Sequence, residues 1–329
     1  MRCDNRCAIA TYRNAFLIYN PFAGRIRRGK RLIEDSVALM QRSGHTVKAM
    51  STTGPGAATE MAKRCLDHGA DLIAVAGGDG TINEAMNGML YSNIPLAILP
   101  GGTANVLAME TGIGSKMLQA AGQIGHWFPE RVSVGVHSDG AEQPPRCFLL
   151  MCGAGLDAHI VYNINAPLKA ALGKVSYWIG GFSQLGRRFP EFEVEADGRT
   201  YSASFALASR VRNYGGDLEI ARSITLLEDD FELVLFSGAN SFHYLRYMLA
   251  VMTRGLDQVP GVTILRTKAA RFSGAQDLRV YSQIDGEYAG RLPVTLSIIP
   301  RAVTLLLPQP YRSKRPAGQQ DAWTTSHTP

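Results

Sequence analysis

Two different spacings of apolar and polar residues follow one another along this chain. From residue 15 to about 125, short apolar runs of strand type alternate with stretches at helical spacing, an order typical of a parallel sheet with helices on both faces. After Pro129 the runs are short and β-like, with turn residues between them, which predicts an antiparallel sandwich. The expected fold is an α/β domain with a parallel sheet, followed by a β-rich sandwich domain.

The individual elements follow from the same pattern. In the first part we predict strands over residues 16–19, 45–50, 72–76 and 96–99, and helices over 29–43, 56–67, 82–90, 106–111 and 115–125. In the second part we predict strands over 131–136, 146–152, 192–196, 201–209, 231–236, 261–266, 268–273, 280–284 and 292–300, and helices over about 167–188 and 240–255. These elements place the two domains at 15–128 and 129–300, with a ragged start over 1–14 and a polar, disordered tail over 311–329.

Three predicted strands of the first domain end in turns that lead into helices, at Asn20–Gly24, Gly77–Thr81 and Pro100–Thr103. Backbone N–H groups in such turns face a phosphate, and glycine is needed where a Cβ would keep the phosphate away. The ends of parallel strands share one edge of the sheet, where α/β proteins bind their ligands. The spacing matches neither the dinucleotide fingerprint nor a Walker loop, so nothing here indicates NAD as a cofactor. The alternative is an ordinary turn in which Asp79 caps a helix.

Composition narrows the class of protein. The chain has 329 residues, of which 46% are hydrophobic, and a net charge of +6, which suits nucleotide phosphates and anionic membrane surfaces. We see no helix-turn-helix, zinc finger or aromatic RNA-binding signature, so we expect no nucleic-acid partner. The five cysteines are odd in number and sparse, which indicates a reducing compartment. Neither a secretory apolar region nor an apolar run near the ~20 residues of a membrane span is visible.

Six motifs occur in an order that resembles the diacylglycerol kinase catalytic domain family, and its bacterial soluble lipid kinases above all. The motifs are Asn20-Pro-Phe-Ala-Gly24, Gly77-Gly-Asp-Gly-Thr-Ile-Asn-Glu84, Pro100-Gly-Gly-Thr-Ala-Asn105, Cys152-Gly-Ala-Gly-Leu-Asp157, Leu168 to Tyr177, and Ile284-Asp-Gly-Glu287. Sphingosine and ceramide kinases are related. The resemblance implies a nucleotide domain like that of NAD kinases and phosphofructokinases, a β-rich lipid domain, and a segment over 301–310 that returns to the first domain.

The activity implied by the resemblance is ATP- and Mg²⁺-dependent phosphorylation of a lipid hydroxyl, on diacylglycerol or a sphingoid base for example. Such an enzyme would be cytoplasmic and peripheral, and would act at an anionic membrane surface. Two alternatives stay open. One is a kinase of a soluble alcohol, since NAD kinases and phosphofructokinases share the Gly-Gly-Asp-Gly turn. The other is a nucleotide-binding, membrane-associated sensor without turnover. The sequence makes no prediction of the lipid or of the oligomeric state.

By the same resemblance, residues at the strand ends hold ATP. They are Asn20, Pro21, Gly24, Thr53, Gly77, Gly78, Asp79, Gly80, Thr81, Asn83, Glu84, Gly102, Thr103 and Asn105. Turn amides, hydroxyl groups and amide side chains are groups that bind phosphates. A basic run with Arg25, Arg28 and Lys30 could reach the β- and γ-phosphates. The alternatives for this basic run are a solvated helix start and a patch that binds lipid headgroups.

Asp285 is the predicted general base toward the lipid hydroxyl. Glu287, two residues on along an extended strand, points to the same side and would bind Mg²⁺ or orient Asp285. The alternative is a plain hairpin turn, because Asp-Gly is a common hairpin dipeptide. Asp79 competes for the role of base, as in the sphingosine kinase branch, and Asp79 and Glu287 are the predicted metal ligands. Asp157 would join a water-mediated magnesium link or contact the lipid headgroup, or else cap a helix.

Two departures from the family pattern bear on these roles. Val106 occupies a position where many soluble bacterial members have aspartate, so the carboxylate network is one member short unless Asp157 or Glu84 compensates. The segments Tyr214–Asp217 and Glu228–Phe231 lack glycines of the family pattern. The structural Mg²⁺ of the family lies near the second segment, and we predict no ligands for it in this chain.

Overall fold

The computed structural model of the protein describes residues 10–29, 31–140, 144–155, 190–214, 218–238, 246–247, 250–251, 255–274 and 280–314. Lys30, Asp157 and the predicted helix over 167–188 lie outside the described residues, as does most of 240–255. The described helices are Gly24–Arg28 (α1), Leu32–Arg42 (α2), Ala57–Asp67 (α3), Asp79–Gly88 (α4), Val106–Glu110 (α5), Met117–Gln123 (α6) and Gln309–Arg312 (α7), with short 3₁₀ turns at Ile124–His126 and Leu256–Gln258. Among the described residues, no helix is long and apolar enough to cross a bilayer.

The strands of the α/β part are Ala15–Tyr19 (β1), Val47–Ser51 (β2), Leu72–Gly77 (β3) and Leu96–Pro100 (β4). Those that follow are Phe128–Ser138 (β5), Arg146–Phe148 (β6), Met151–Gly155 (β7), Phe192–Ala196 (β8), Arg199–Ala203 (β9), Phe205–Ser209 (β10), Asn213–Tyr214 (β11), Leu218–Glu219 (β12), Phe231–Phe236 (β13), Val262–Thr267 (β14), Ala270–Ser273 (β15), Tyr281–Ile284 (β16), Glu287–Arg291 (β17) and Val294–Leu307 (β18).

The first four strands form a parallel sheet in the order β2-β1-β3-β4. Their register aligns the carboxyl ends, since Tyr19 pairs with Ser51 and Ala76, and Gly77 pairs with Pro100. All six residues of β3 are buried, as expected where helices cover both faces of a sheet. The predicted α/β fold is therefore confirmed, and the turns after these strands lie at a common edge.

The last strand, β18, connects this sheet to the second part of the fold. Leu305 pairs with Leu96 of β4 in parallel, and the rest of β18 is antiparallel to β5 and β15. A separate six-stranded antiparallel sheet has the order β14-β13-β10-β7-β16-β17. Residues of both sheets form one buried apolar cluster, in which Phe148 of β6 stacks on Phe231 of β13 with ring centroids 5.8 Å apart. The predicted sandwich is confirmed.

Two helices differ from their predictions at points that matter for the site. The helix predicted over 82–90 begins earlier, at Asp79, because Gly78 has the extended conformation of an N-cap (φ −88°, ψ 177°). The helix predicted over 29–43 is two helices, since Gly29 leaves the helical conformation (φ −109°, ψ 88°) after α1. The part of the basic run with Arg25 and Arg28 therefore forms its own short helix at the sheet edge.

Three predictions in the second part need correction. The strands predicted over 146–152 and 201–209 are each broken in two, into β6 and β7 and into β9 and β10, because the chain passes from one sheet to the other after Phe148 and after Ala203. The prediction of disorder from residue 311 is wrong for residues 311–314. Tyr311 lies in α7 and is only 2% exposed, since its ring is packed in the main core and its hydroxyl has hydrogen-bond partners.

Candidate functional site

Three of the predicted turns meet at the carboxyl edge of the parallel sheet. The carbonyl oxygen of Gly77 accepts the N–H groups of Gly101 (2.8 Å) and Gly102 (3.0 Å), and the N–H group of Arg25 donates to the carbonyl oxygen of Gly101 (3.1 Å). A Cβ on Gly102 would lie 2.5 Å from the Cα of Gly78. Glycine is needed at position 102 because the two turns pack backbone against backbone there.

Some predicted ATP-binding side chains brace these turns. Asn105 is 1% exposed, and its amide group exchanges hydrogen bonds of 2.8 and 2.9 Å with the backbone of Gly102. The amide nitrogen of Asn20 donates to the hydroxyl of Thr81 (3.3 Å), and its oxygen accepts the N–H of Phe22 (2.9 Å). These side chains shape the turns from within, so their contribution to a ligand is the placement of backbone groups.

Glu84 has a structural partner at the start of α3. Its carboxylate accepts the N–H of Ala58 (3.2 Å), and its carbonyl oxygen accepts the hydroxyl of Thr59 (2.8 Å). It therefore docks α4 on α3, and this contact gives no support for a role in replacing the missing carboxylate at position 106. Thr53 and Thr103 are exposed, on the loops that follow β2 and β4 at the sheet edge, where a ligand can reach them.

Asp79 occupies the first position of α4, and its carboxylate caps a different helix. One oxygen accepts the N–H of Val106 (3.0 Å) and the other accepts the N–H of Leu107 (3.1 Å). These are first-turn N–H groups of α5, which favour a negative partner. The side chain of Val106 is buried, so the backbone of this residue, not its side chain, contacts the carboxylate of Asp79.

Asp285 and Gly286 form the turn of the β16–β17 hairpin. Both have positive φ, at 48° and 81°, which is the conformation that two-residue hairpin turns of this type require and that Asp-Gly favours. The hairpin interpretation of this dipeptide thus holds. The prediction that Asp285 and Glu287 lie on one extended strand is wrong, because the turn separates them and places Glu287 at the first position of β17.

The carboxylate of Asp285 is the centre of a network between the domains. It accepts the backbone N–H groups of residues 149–151, at 3.1, 3.0 and 3.0 Å, and the amide group of Asn83 on α4. Four donors correspond to the four lone-pair sites of a carboxylate. Burial raises the pKa of Asp285 to about 6, although the same hydrogen bonds act to lower it. This side chain ties the hairpin to α4 and to the β6–β7 crossover.

Glu287 lies beside the start of α4. A Cβ on Gly80 would collide with its carboxylate, so this carboxylate is next to the residue that follows Asp79. The side chain is 57% exposed, and Arg146 lies 3.9 Å from one of its oxygens. Arg146, which also donates to the carbonyl oxygen of Tyr288 (3.2 Å), is a site residue that sequence reasoning missed, since it belongs to no motif.

The basic helix α1 lies at the same edge. Arg25 and Arg28 are exposed, and the guanidinium group of Arg25 donates to the carbonyl oxygen of Ser115. Ile26, on the inner side of α1, is buried beneath them against Gly101. The helix therefore presents arginine side chains to solvent next to the glycine turns, a placement compatible with phosphate contact and with a headgroup patch.

The donor set at α4 fits a magnesium ion that arrives with a nucleotide. Within the described ranges, no group of three His, Cys, Asp or Glu side chains is arranged to hold a metal ion. Mg²⁺ commonly takes one or two protein carboxylates, with phosphates and waters as its remaining ligands. Asp79, at the first position of α4, and Glu287, whose carboxylate lies beside Gly80, would be the two carboxylates of this kind.

The loop before β13 does not fit the structural Mg²⁺ that the resemblance implies. Arg210 is fully buried, and its guanidinium group occupies this loop. Its acceptors are the carbonyl oxygens of Leu226, Glu228 and Asp230, at 3.2, 3.1 and 3.2 Å. The carboxylates of Glu228 and Asp230 also pair with Arg266 at 2.6 and 3.2 Å. A divalent cation would meet a buried positive charge and engaged oxygens here.

Comparisons with known proteins agree with this architecture. A model of the diacylglycerol kinase catalytic domain matches residues 14–136, and a model of the YegS C-terminal NAD kinase beta sandwich-like domain matches residues 151–307. The diacylglycerol kinase of Bacillus subtilis (strain 168) is 29% identical over 303 residues, which cover 90% of this chain and 97% of that protein. The diacylglycerol kinase of Staphylococcus aureus (strain MRSA252) is 26% identical over 302 residues, or 90% and 93%.

Solved structures share the fold. Two chains from Bacillus anthracis str. Sterne match with TM-scores of 0.76 and 0.70, each at 21% identity. They cover 93% and 91% of this chain, and 99% and 98% of their own length. The second is a diacylglycerol kinase. At this identity the likeness establishes the fold.

Proposed function

The chain belongs to the diacylglycerol kinase catalytic domain family and is a lipid kinase, and from this premise we propose that it transfers the γ-phosphoryl group of ATP, with Mg²⁺, to a lipid hydroxyl. The acceptor would be a lipid such as diacylglycerol or a sphingoid base, because the curated relatives are diacylglycerol kinases. The observation that carries the proposal is the meeting of three glycine-rich turns and two carboxylates at one edge of the parallel sheet.

The turns supply groups that suit the phosphates of ATP. The N-terminus of α4, after Gly78, presents backbone N–H groups that favour an anion. The exposed hydroxyls of Thr53 and Thr103 lie on loops at the same edge and can donate to phosphate or ribose oxygens. Arg25 and Arg28 add positive charge beside the turns. The same edge thus combines backbone donors, hydroxyls and cations.

Of the two predicted metal ligands, we assign Asp79 to Mg²⁺ and Glu287 to proton transfer. When bound with ATP, Mg²⁺ would neutralise charge on the transferred phosphoryl group. The attacking hydroxyl needs a group that orients it and accepts its proton. Glu287 suits this task because its side chain is 57% exposed beside α4, whereas the carboxylate of Asp285 already accepts four hydrogen bonds.

Asp285 then has a positioning role. By holding the hairpin turn against α4 and the β6–β7 crossover, it sets the place of Glu287 two residues later. This assignment differs from the interpretation in which Asp285 is the base, and it rests on the engagement of its lone-pair sites.

An anionic membrane surface is the proposed place of action. The exposed face of α1 carries Arg25, Arg27 and Arg28, and Phe22 beside it is 71% exposed. An aromatic ring flanked by guanidinium groups suits the headgroup region of an anionic bilayer. Higher activity on anionic than on neutral vesicles is therefore expected.

The test is transfer of the radiolabelled γ-phosphate of ATP to anionic vesicles that contain diacylglycerol or sphingosine, with Mg²⁺ and identification of the product. Wild-type protein should yield labelled phosphatidic acid or sphingoid phosphate. Glu287→Gln should lower kcat by about 10²–10⁴-fold, the range for loss of a general base, and change ATP affinity little. Glu60→Gln is the control, since the side chain of Glu60 is exposed on α3 and forms an ion pair with Lys63 on the same helix.

The other outcomes would refute the assignment of the base or indicate a different function. Full activity of Glu287→Gln would refute the assignment of the base. Label on a soluble alcohol but on no lipid would favour the soluble-alcohol kinase. ATP binding without transfer to any acceptor would favour a sensor without turnover.

A further inference from the structure

A buried carboxylate at the end of α5 joins segments that are distant in sequence. Glu110 is the last residue of this helix, and its side chain is fully buried. One oxygen accepts the backbone N–H groups of Arg212 (3.0 Å) and Asn213 (3.4 Å) and the side-chain amide of Asn213 (3.3 Å). The other accepts the hydroxyl of Tyr311 at 3.1 Å. A buried carboxylate is tolerated because these donors satisfy it.

Tyr311 extends this junction to two more segments. It lies in α7, and its hydroxyl accepts the backbone N–H of Leu226 (3.1 Å) while donating to Glu110. Burial raises the pKa of Tyr311 well above its ordinary value, so the hydroxyl keeps the proton that it donates. One phenol group therefore links α7, the loop before β13 and the end of α5.

Helix α5 depends on contacts at both of its ends. It has five residues, too few for a helix that is stable by itself. Its first N–H groups bind the carboxylate of Asp79, and its last residue is held by the junction at Glu110. At 1.5 Å per residue the ends are only ~7 Å apart, so a shift at Glu110 moves the whole helix. The turn that carries Thr103 directly precedes this helix.

We propose that Glu110 and Tyr311 are positioning residues for the nucleotide site, which they hold in place through α5 and Asp79. The inference rests on the proposed function of this sheet edge as the ATP site. It makes the segment around α7, the last element of the described chain, part of the machinery that sets nucleotide affinity.

Tyr311→Phe tests this inference, because it removes one hydroxyl and keeps the buried ring. Arg312→Ala is the matched control on the same helix. Arg312 donates to Glu130 of β5 (2.9 Å) and lies over the ring of Phe128, so its loss removes contacts between α7 and β5 and leaves the hydrogen bonds of Tyr311 in place. Glu110→Gln, which keeps the size of the side chain, is a second probe of the junction.

Three quantities should be measured on the full chain: ATP affinity by calorimetry, kcat and KM for ATP, and hydrogen exchange of residues 106–110. We expect Tyr311→Phe and Glu110→Gln to raise KM and the dissociation constant for ATP by about 3–10-fold, which is about 0.7–1.4 kcal/mol of lost affinity, with a smaller change in kcat. Exchange at 106–110 should speed up. Arg312→Ala should leave both ATP affinity and this exchange unchanged.

These measurements distinguish failure of the proposed function from failure of the positioning role. If the wild-type protein binds no ATP, the proposed function falls and this inference falls with it. If the wild-type protein binds ATP, and Tyr311→Phe changes neither affinity nor exchange at 106–110, only the positioning role is refuted. Equal effects of Tyr311→Phe and Arg312→Ala would also refute it, since they would point to general loosening of α7.

Discussion

Replacing Asp285 with asparagine should change the stability of the protein in two opposite ways, because it removes hydrogen bonds and also removes a buried charge. The carboxylate accepts four hydrogen bonds, from the N–H groups of residues 149–151 and from Asn83. An asparagine side chain has one oxygen and one NH₂ donor group, so two of the four donors lose their acceptor. Each unpaired buried donor costs about 1–3 kcal/mol, which gives about 2–6 kcal/mol in total.

The charge of the carboxylate acts in the opposite direction. Burial raises the pKa of Asp285 from 3.8 to about 6, so ionising this carboxyl group costs more free energy in the folded protein than in the unfolded chain. A shift of two pH units corresponds to about 3 kcal/mol, and partial exposure of the residue reduces this to about 1–2 kcal/mol. Neutral asparagine avoids this cost. We therefore expect Asp285→Asn to destabilise the protein by about 1–4 kcal/mol near neutral pH.

The pH dependence separates the two effects. The folded-state pKa, about 6, lies above the ordinary value of 3.8 that applies to the unfolded chain. Between these pH values the folded protein keeps a proton that the unfolded chain has released, so wild-type stability falls as the pH rises from about 4 to about 6. The variant lacks this group. Its destabilisation should be larger at about pH 4.5 than at about pH 7.5, by about 1–2 kcal/mol.

Urea-induced unfolding at the two pH values measures this difference. Asp257→Asn is the matched control, because Asp257 is 60% exposed and lies 3.7 Å from Arg222; its cost should stay within about 0.5 kcal/mol at both pH values. A greater destabilisation by Asp285→Asn at about pH 7.5 than at about pH 4.5 would refute the reasoning, since it would mean that the hydrogen bonds outweigh burial and hold the pKa below its ordinary value.

Three further outcomes follow from the packing. Gly102→Ala should weaken ATP binding and lower stability by about 1–3 kcal/mol, because the new Cβ would lie 2.5 Å from the Cα of Gly78. The control is Gly122→Ala in α6, where a Cβ meets nothing within 4 Å, and it should be neutral or stabilise by up to about 1 kcal/mol. Calorimetry measures both variants. Because Arg210 occupies the loop before β13, chelation by EDTA should leave Tm of the nucleotide-free protein unchanged within about 1 °C, which corresponds to a few tenths of a kcal/mol. A clear fall in Tm would show a resident metal. Arg210→Met should cost at least about 3 kcal/mol in urea unfolding, because three backbone carbonyl oxygens lose their donor at about 1–3 kcal/mol each.

The sequence predicted the α/β half of the fold well because its signals are local. The apolar run of β3 and the glycine turn after it are adjacent in the chain, and the parallel register then places every such turn at one edge. Sequence reasoning did not find which side chains hold the turns together. Asp79 caps a helix that begins 27 residues later, and no spacing rule connects the two positions.

The contacts of Asp285 are also beyond prediction from the sequence, because its partners are even farther away along the chain. Its partner Asn83 is 202 residues away, and the N–H groups of residues 149–151 are at least 134 residues away. A motif identifies acidic residues by their position in the sequence. A general base, in contrast, must have free lone pairs and access to the acceptor. Only the folded chain reveals that Asp285 is fully engaged and that Glu287 is exposed.

For Asp285 and Asp79, the sequence offered a structural role and a site role as alternatives, and the structure is compatible with both. Asp285-Gly286 is a hairpin turn, and its carboxylate ties that turn to α4. Asp79 caps α5 and also lies at the edge proposed to bind phosphate. Substitutions of these two residues should therefore change stability and activity together, which makes their kinetic effects poor evidence for a chemical role. Glu287 is different, because it is exposed and its ion pair with Arg146 is long at 3.9 Å, worth ~0–1 kcal/mol. It is the carboxylate of the three whose removal should lower kcat strongly while leaving stability nearly unchanged.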